Sequence, residues 1–266
     1  MAILQATLFS NALTRTVPAT VILPSDKYDG QGRSISRPPY KTLYLLHGYL
    51  GSTLDWITGT RICRWATERD LAVVMPSGDN SVYIDHASSG ENYGQFISRE
   101  LVELTRAMFP LSDKREDTFI GGLSMGGLGA LRNGLACPET FGSIITLSGA
   151  LDFLEQQPPE ELSMFGPPEE VLNGDKNPAV LLRRFAEDPS LPKPKIFSAC
   201  GTEDPLLPGN RLYRTRLEDA GFDLTYVEAP GNHNWDFWDT YILEALKWLP
   251  LSDGSQGLTS GNIDGK

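Results

Sequence analysis

Short apolar runs recur along this chain at intervals that are long enough to hold a helix between consecutive runs. They lie at residues 42–46, 71–75, 118–121, 143–147, 195–199 and 224–227. Such alternation is typical of units in which each strand is followed by a crossover helix and the strands run parallel. The sequence therefore predicts an α/β fold with a mostly parallel, doubly wound sheet and helices on both faces.

Two earlier apolar runs, 6–10 and 17–23, are separated by only a few polar residues. This spacing favours an antiparallel strand pair at an edge of the sheet. Helical periodicity is clearest in residues 96–108, where apolar side chains recur at spacings of three or four. Similar patterns predict helices over 211–220 and 235–248.

The segment from Gly122 to Gly126 has the form G-x-S-x-G, with Ser124 at its centre. It follows the predicted strand 118–121 and precedes a segment of small residues, 126–136, typical of a helix packed closely on a sheet. A strand that turns directly into a helix strains its turn residue, and flanking glycines avoid a clash. The pattern predicts an exposed serine nucleophile at a helix N-terminus, where the dipole favours negative charge. Taken alone, it also fits a purely structural turn.

A serine hydroxyl attacks a carbonyl carbon only when a base removes its proton, so a usable histidine must be present. The chain has three histidines, at positions 47, 86 and 233. His233 lies between the predicted strand 224–227 and the last predicted helix, at the same sheet edge as Ser124. We predict that His233 is the base, the alternative being a loop histidine with structural contacts only. We expect His86 to be a solvated loop residue, with contact to a substrate as the alternative.

His47 also follows a predicted strand, 42–46, at this edge, and Gly48 after it lets the backbone come close to a substrate. We predict that the backbone N–H groups of Tyr49 and Met125 form an oxyanion hole there. His47 could instead be the base. His47 precedes the serine in the chain, however, whereas folds with a G-x-S-x-G elbow have the order serine, acid, histidine.

A carboxylate that orients the histidine should follow the strand between Ser124 and His233. The loop after the predicted strand 195–199 contains Glu203 and Asp204. One step along a chain reverses the direction of the side chain, so we expect only one of these two to point at the histidine. We predict Asp204 and keep Glu203 as the alternative; both could also be a simple acidic approach to a helix.

Two regions interrupt the alternation of strands and helices. Residues 26–40 are rich in Gly, Ser, Arg and Pro and predict a surface loop. Residues 151–194 contain several prolines and only short helical patterns, which predicts an excursion between two strands that overhangs the site or merely decorates the surface. We predict one α/β domain over residues 1–250 and a disordered tail over residues 251–266.

The net charge of −11 argues against binding to nucleic-acid phosphates and to anionic membrane surfaces. No stretch reaches the roughly 18 apolar residues of a membrane span. The N-terminal segment has no basic region or long apolar core, so it predicts a first strand instead of a signal peptide. Three widely spaced cysteines, which we expect to be buried, indicate a reducing compartment, and we predict a cytoplasmic protein.

Metal and nucleotide sites are not predicted. No two histidines have the spacing of metal ligands, and no two cysteines are close in sequence. The glycine-rich segment 121–127 lies in mid-chain, lacks the spacing of a pyrophosphate loop and is not followed by a phosphate-loop lysine. We therefore expect neither a cofactor nor a metal ion.

Four motifs can be compared with known families: Leu-Leu-His-Gly at 45–48, Gly-Leu-Ser-Met-Gly-Gly at 122–127, Cys-Gly-Thr-Glu-Asp at 200–204 and Gly-Asn-His-Asn-Trp at 231–235. Together they resemble the esterase D-like branch of the α/β hydrolases, which includes tributyrin, feruloyl and acetyl xylan esterases, S-formylglutathione hydrolases and mycolyltransferases. The resemblance covers about residues 43–249. It implies the α/β-hydrolase fold, with the nucleophile at Ser124, the acid at Asp204 and the base at His233.

The Gly-x-His-x-Trp form around His233 resembles the tributyrin and feruloyl esterases. S-formylglutathione hydrolases usually have Gly-x-Asp-His-Ser-Tyr there. The resemblance thus implies a serine esterase for small-molecule esters with short acyl or hydroxycinnamoyl-type groups. Alternatives are an S-formylglutathione hydrolase-like thioesterase, an acyltransferase and a non-catalytic binding protein of the same fold. Such enzymes are often oligomers, which leaves a homo-oligomer open.

Overall fold

The apolar runs of the sequence form one mixed β-sheet in the computed structural model, which describes residues 1–251, 254, 257 and 258. Its strands in the described residues are β1 Ala2–Ser10, β2 Arg15–Leu23, β3 Lys41–Leu46, β4 Leu71–Pro76, β5 Thr118–Leu123, β6 Ser143–Leu147, β7 Lys195–Gly201 and β8 Leu224–Ala229. Their spatial order is β1-β2-β4-β3-β5-β6-β7-β8. The six strands from β3 to β8 are parallel to one another, which confirms the predicted fold class.

The antiparallel pair predicted for the sheet edge is also present. β1 pairs with β2 from Ala2 opposite Leu23 to Ser10 opposite Arg15, and β2 then pairs antiparallel with β4. β1 begins four residues before the predicted run of 6–10. The added residues include the apolar Ala2, Ile3 and Leu4, which continue the pairing with β2 although Ile3 and Leu4 are exposed at the sheet edge.

The order of the strands reverses at β3, which lies between β4 and β5. The chain moves from β3 to one side of the sheet and later returns to the other side. Leu46 at the end of β3 is in register with Gly122 near the end of β5. Open α/β sheets bind ligands beyond the carboxyl ends of their strands at such a reversal. The elbow at Ser124 and the segment after His47 both begin at this point.

Helices cover both faces of the sheet. Those described are α1 Asp55–Gly59, α2 Ile62–Glu68, α3 Tyr93–Gln95, α4 Leu101–Met108, α5 Met125–Ala136, α6 Phe153–Gln156, α7 Pro159–Leu162, α8 Pro168–Asn173, α9 Pro178–Glu187, α10 Leu207–Asp219 and α11 Trp235–Trp248. A π-helical turn, Phe96–Glu100, joins α3 to α4, and a 3₁₀ turn, Arg115–Asp117, precedes β5. No helix in the described part of the chain is both long and apolar enough to cross a bilayer.

Two apolar cores lie on opposite faces of the sheet because successive strand residues point in opposite directions. On β3, Tyr44 and Leu46 face the core formed with α4, α5, α9 and α10. Leu43 and Leu45 face the second core, to which α1, α2 and α11 contribute. Strands buried on both faces give the continuous apolar runs that marked them in the sequence.

The helical predictions hold with two differences. The helix predicted over 96–108 opens with the π turn, which an apolar spacing of three or four cannot distinguish from an α-helix. α10 begins at Leu207 instead of 211, with Pro208 in its first turn, where a missing N–H costs nothing. α11 has the predicted bounds, and its first turn is capped by Asn234 Oδ1, which accepts from the Phe237 N–H at 3.2 Å.

The two interrupting regions differ from each other. Residues 26–40 form no helix, whereas residues 151–194 contain the four helices α6 to α9, of which α9 packs against α5 and α10. The predicted disordered tail lies mostly outside the described residues. Of its described members, Leu258 forms backbone hydrogen bonds in both directions with Tyr28 in the surface loop of 26–40.

Candidate active site

The elbow between β5 and α5 is strained at its serine. Ser124 has φ 52° and ψ −119°, backbone angles that residues other than glycine rarely adopt. A Cβ on Gly122 would lie 2.4 Å from the Gly126 carbonyl, and a Cβ on Gly126 would lie 2.5 Å from Leu46 O. Both approaches are too close for any side chain, so the two glycines permit the turn.

Backbone hydrogen bonds hold this strained residue in place. The Ser124 N–H donates to Leu147 O at 3.0 Å, at the end of β6. The Ser124 carbonyl accepts from the N–H groups of Gly127 and Ala150, each at 3.0 Å. Because the neighbouring strand and helix both fix the backbone, the side chain of Ser124 is presented in one direction beyond the sheet edge.

Ser124, His233 and Asp204 form a continuous chain of hydrogen bonds. Ser124 Oγ lies 3.0 Å from His233 Nε2, and His233 Nδ1 lies 2.9 Å from Asp204 Oδ2. The three residues come from the loops after β5, β8 and β7, as the order of the motifs predicted. The Asp204 side chain is fully buried, whereas that of His233 is 27% exposed. The arrangement is therefore shielded at the acid and open at the serine.

The buried carboxylate of Asp204 is kept ionised by its hydrogen bonds. Burial by itself raises the pKa of Asp204, but the hydrogen bonds to the carboxylate, beginning with that of His233, outweigh it and the pKa is lowered. Oδ1 accepts from the Leu206 N–H at 2.8 Å. An ionised Oδ2 requires a proton on His233 Nδ1, so Nε2 is left as an acceptor that faces the serine hydroxyl.

Two backbone N–H groups lie on the chain segments next to the serine. Gly48 brings the chain past the elbow, since a Cβ there would lie 3.6 Å from Ser124 Cβ. Tyr49 follows and is 63% exposed. Among the described residues, neither the Tyr49 N–H nor the Met125 N–H donates to another group of the chain. These are the two donors predicted for an oxyanion, and Met125 also begins α5, whose positive end faces the site.

With this geometry in view, comparison with known proteins identifies the family. The family model described as "Putative esterase" matches residues 10–249. The chain belongs to this esterase family. An acetyl esterase of Caldicellulosiruptor saccharolyticus is 39% identical over 262 residues, which cover 94% of this chain and 98% of that one.

Solved structures agree with the family. The fluorophosphonate-binding serine hydrolase F of Staphylococcus aureus superposes with a TM-score of 0.82 at 28% identity. An S-formylglutathione hydrolase of the same organism gives 0.80 at 29% identity. Each match covers 93% of this chain and 98% of the other. The chain is thus a carboxylic ester hydrolase with the α/β-hydrolase fold.

In this esterase, His47 is occupied by backbone contacts. Its Nδ1 lies 2.7 Å from Gly48 O, and its Nε2 accepts from the Gly78 N–H at 2.9 Å. Burial lowers the pKa of His47, consistent with a neutral ring that donates from Nδ1 and accepts at Nε2. With both nitrogens engaged, His47 is not placed to act as the base. It joins the loop after β3 to the loop after β4.

The expectation that His86 is solvated was wrong. Its ring is buried, with Nε2 at 2.9 Å from Ser81 O. It packs against Tyr93 and against Phe165 of the excursion, with ring centroids 5.9 and 5.0 Å away. Sequence could not show this because the covering residue lies far along the chain. Cys63 is only partly buried, while the other two cysteines are buried as expected.

An aromatic contact of His233 was missed by the sequence analysis. Trp238 lies edge to face with the imidazole, at a centroid distance of 5.0 Å and an interplanar angle of 89°. Trp235 and Trp56 continue the row at 5.1 and 5.6 Å. Trp235 and Trp238 are three residues apart in the first turn of α11 and share a face, so their spacing after the histidine was the available signal.

Glu203, the alternative acid, does not contact His233. Its carboxylate accepts from the Gly231 N–H at 2.5 Å and from Thr202 Oγ1 at 2.9 Å. The step from Glu203 to Asp204 reverses the side-chain direction, as predicted, so one carboxylate is buried at the histidine and the other lies at the surface.

Other features of the esterase lie apart from this site. A cavity of about 630 Å³ is lined by residues of α6, α8, α9 and α10, and none of them belongs to the hydrogen-bonded chain. Within the described part of the chain, no three His, Cys, Asp or Glu side chains are grouped as a metal site requires.

Proposed function

We propose that this esterase is a serine carboxylesterase that hydrolyses short-chain acyl esters, with acetyl esters preferred, or small hydroxycinnamoyl-type esters, through an acyl-enzyme on Ser124. The observation that carries the proposal is the chain of hydrogen bonds from Ser124 Oγ through His233 to the buried carboxylate of Asp204. The acetyl esterase relative, which spans nearly the whole chain, supports acetyl as the acyl group.

In the first step His233 Nε2 takes the Ser124 proton while Oγ forms a bond to the ester carbonyl carbon. The carbonyl oxygen becomes an oxyanion, which the N–H groups of Tyr49 and Met125 stabilise. Collapse of this intermediate breaks the bond to the alcohol oxygen, and the imidazolium returns its proton to that oxygen. The alcohol leaves, and the acyl group stays on Ser124.

In the second step His233 accepts a proton from a water molecule, whose oxygen attacks the acyl carbon. A second oxyanion forms in the same place, the bond to Ser124 Oγ breaks, and the proton returns to Oγ. The carboxylate of Asp204 stabilises the imidazolium in both steps without becoming protonated. The net reaction is ester plus water to acid plus alcohol.

The open side of the site is consistent with a variable alcohol. Tyr49 and its neighbour Leu50 are largely exposed beside the serine. The excursion of 151–194 begins immediately after Ala150, whose N–H is bonded to the Ser124 carbonyl. We therefore place the start of the excursion beside the bound acyl group, where it would limit acyl length.

The decisive experiment is hydrolysis of p-nitrophenyl acetate by the wild type and by Ser124→Ala. Loss of the nucleophile is expected to lower kcat by about four to six orders of magnitude. Activity of the variant within tenfold of the wild type would refute the assignment. A panel of p-nitrophenyl acetate, butyrate and octanoate with methyl ferulate then ranks acyl groups, and we expect kcat/KM to be highest for acetate.

A thioesterase acting on S-formylglutathione is the second candidate, favoured by the solved hydrolase of that activity at 29% identity. The same residues would serve it, since a thiolate replaces the alcohol as leaving group. Against it stands the Gly-Asn-His-Asn-Trp sequence around His233. Measuring kcat/KM for S-formylglutathione and p-nitrophenyl acetate on one preparation decides between the two, and we expect the acetate to be the better substrate.

A further inference from the structure

Glu203 lies next to the acid of the candidate triad, yet it serves a different partner. Its Oε2 accepts from the Gly231 N–H at 2.5 Å, and its own N–H donates to Gly231 O at 3.0 Å. Glu203 thus forms hydrogen bonds with both the N–H and the carbonyl of Gly231 on the neighbouring loop. Gly231 is two residues before His233, so the bonds join the loop of the acid to the loop of the base.

The two loops touch through glycine backbones at this point. A Cβ on Gly201 would lie 2.2 Å from Gly231 O. Gly231 itself has φ +148°, and a Cβ there would lie 2.6 Å from the Phe237 ring. Side chains are therefore excluded from both positions. Beyond them, Asn232 Oδ1 accepts from the His233 N–H at 2.7 Å, a bond within the loop that does not tie it to the loop of the acid.

The contact with Gly231 favours the ionised form of Glu203. Its pKa is lowered, with the hydrogen bond from the Gly231 N–H as the largest cause and that from Thr202 as the second. A lowered pKa means that the contacts favour the ionised carboxylate. The side chain is exposed, so the contact is not a by-product of burial in the core.

We propose that Glu203 is a positioning residue, which holds the His233 loop so that Nδ1 faces Asp204 and Nε2 faces Ser124. The inference rests on the proposed function, because it assigns Glu203 to the same triad. Catalytic groups misplaced by about 1 Å lose on the order of 10²-fold in rate. Without the carboxylate, Gly231 keeps the bond from the Glu203 N–H to its carbonyl, but its own N–H loses its partner. We expect the loosened loop to allow His233 such a displacement.

The test compares Glu203→Ala with Glu203→Gln in hydrolysis of p-nitrophenyl acetate. The alanine variant is expected to lose about 10- to 100-fold in kcat, with KM within twofold of the wild type. The glutamine amide oxygen can still accept from the Gly231 N–H, so this variant should stay within about threefold. Glu218→Ala removes an exposed carboxylate that pairs with Arg214 on α10 and serves as the matched control.

A spectroscopic measurement separates positioning from general stability. The proton between His233 Nδ1 and Asp204 should give a downfield NMR resonance in the wild type and Glu203→Gln, and a broadened or absent one in Glu203→Ala. The proposal fails if Glu203→Ala keeps kcat within twofold, keeps this resonance, or does not fold. If Ser124→Ala abolishes hydrolysis while Glu203→Ala is normal, only this inference fails; if Ser124→Ala is active, the proposed function fails as well.

Discussion

Two adjacent carboxylates, Glu203 and Asp204, show how strongly position decides the chemistry of a residue in this esterase. Asp204 is buried and faces His233, whereas Glu203 is exposed and faces the backbone of Gly231. The pKa of each is lowered, but by different partners. The motif at residues 200–204 shows that an acid is present; the direction of each side chain follows from the path of the loop.

Replacing Asp204 by asparagine removes the charge of the side chain and keeps its size, so the variant tests what the charge contributes. The amide oxygen can keep the bond from the Leu206 N–H, which turns the amide NH₂ toward His233 Nδ1. The imidazole would then hold its proton on Nε2 and could not accept the Ser124 proton. We expect kcat for p-nitrophenyl acetate to fall by about 10⁴-fold with little change in melting temperature. Asp219→Asn, an exposed change on α10, is the control, and a loss below tenfold in Asp204→Asn would contradict the assignment.

At the scale of elements, the junction of β5 and α5 depends on close contact with β3. Gly126 lies in the first turn of α5, where a Cβ would be 2.5 Å from Leu46 O and 2.6 Å from His47 O. Helix and strand can therefore approach each other only without a side chain at this position. This contact places Met125 of α5 and Tyr49 after β3 on the same side of the serine.

Gly126→Ala should damage both the fold and the site. Relief of the clash requires α5 to move away from β3, which we expect to cost about 1–3 kcal/mol in the free energy of unfolding and to separate the two proposed oxyanion donors. Urea unfolding and kcat measured together test this. Gly30→Ala is the matched control, since a Cβ there meets nothing within 4 Å. Equal stability and activity of both variants would show that the contact is not needed.

The elements differ in how far the sequence specified them. The parallel strands β3 to β7 were predicted within about two residues because strands buried on both faces are largely apolar. The half-buried edge strand β8 was located to the same precision. α11 was predicted with the bounds that the structure shows, because its apolar side chains recur at helical spacing over its whole length. The π turn at Phe96–Glu100 and the short helices of the excursion were not specified, since their geometry depends on what they pack against.

At the scale of the whole molecule, several carboxylates stabilise the folded state through hydrogen bonds and ion pairs. The pKa is lowered for Asp79, Asp117, Glu155 and Asp204, in each case by partners that exist only in the fold. Glu155 is the clearest case, because Arg216 Nη1 and Nη2 donate to its two oxygens at 2.6 and 2.8 Å. This pair joins α6 of the excursion to α10.

These shifts predict loss of stability in acid. A folded-state pKa below the unfolded value means that the unfolded chain binds more protons as the pH falls, so unfolding becomes easier. The contribution is complete above the ordinary carboxyl values of 3.8 and 4.5 and disappears below the lowered ones. The net charge of −11 has the opposite effect, since partial protonation relieves repulsion.

The substitution Glu155→Gln separates the effect of a lowered carboxyl pKa from the effect of the net charge. We expect the variant to be less stable than the wild type by about 1 kcal/mol at pH 7, because the pair is partly screened by solvent. The difference should shrink as the pH falls below the ordinary value of 4.5 and through the lowered pKa of the wild-type carboxyl. Urea unfolding of both proteins over a series of pH values from 7 downward measures this. A difference that does not change with pH would mean that the charge of Glu155 does not contribute.

Sequence alone determined the α/β class and the positions of the parallel strands, and it selected Ser124, His233 and Asp204 as candidate site residues, because each depends on local pattern or on chain order. The tertiary structure decided which groups meet. It joined Ser124 to His233 across 109 positions, engaged both nitrogens of His47 with backbone, buried His86 beneath the excursion and turned Glu203 toward Gly231. Contacts of this kind depend on distances between segments that are remote in the chain, and no local pattern encodes such distances.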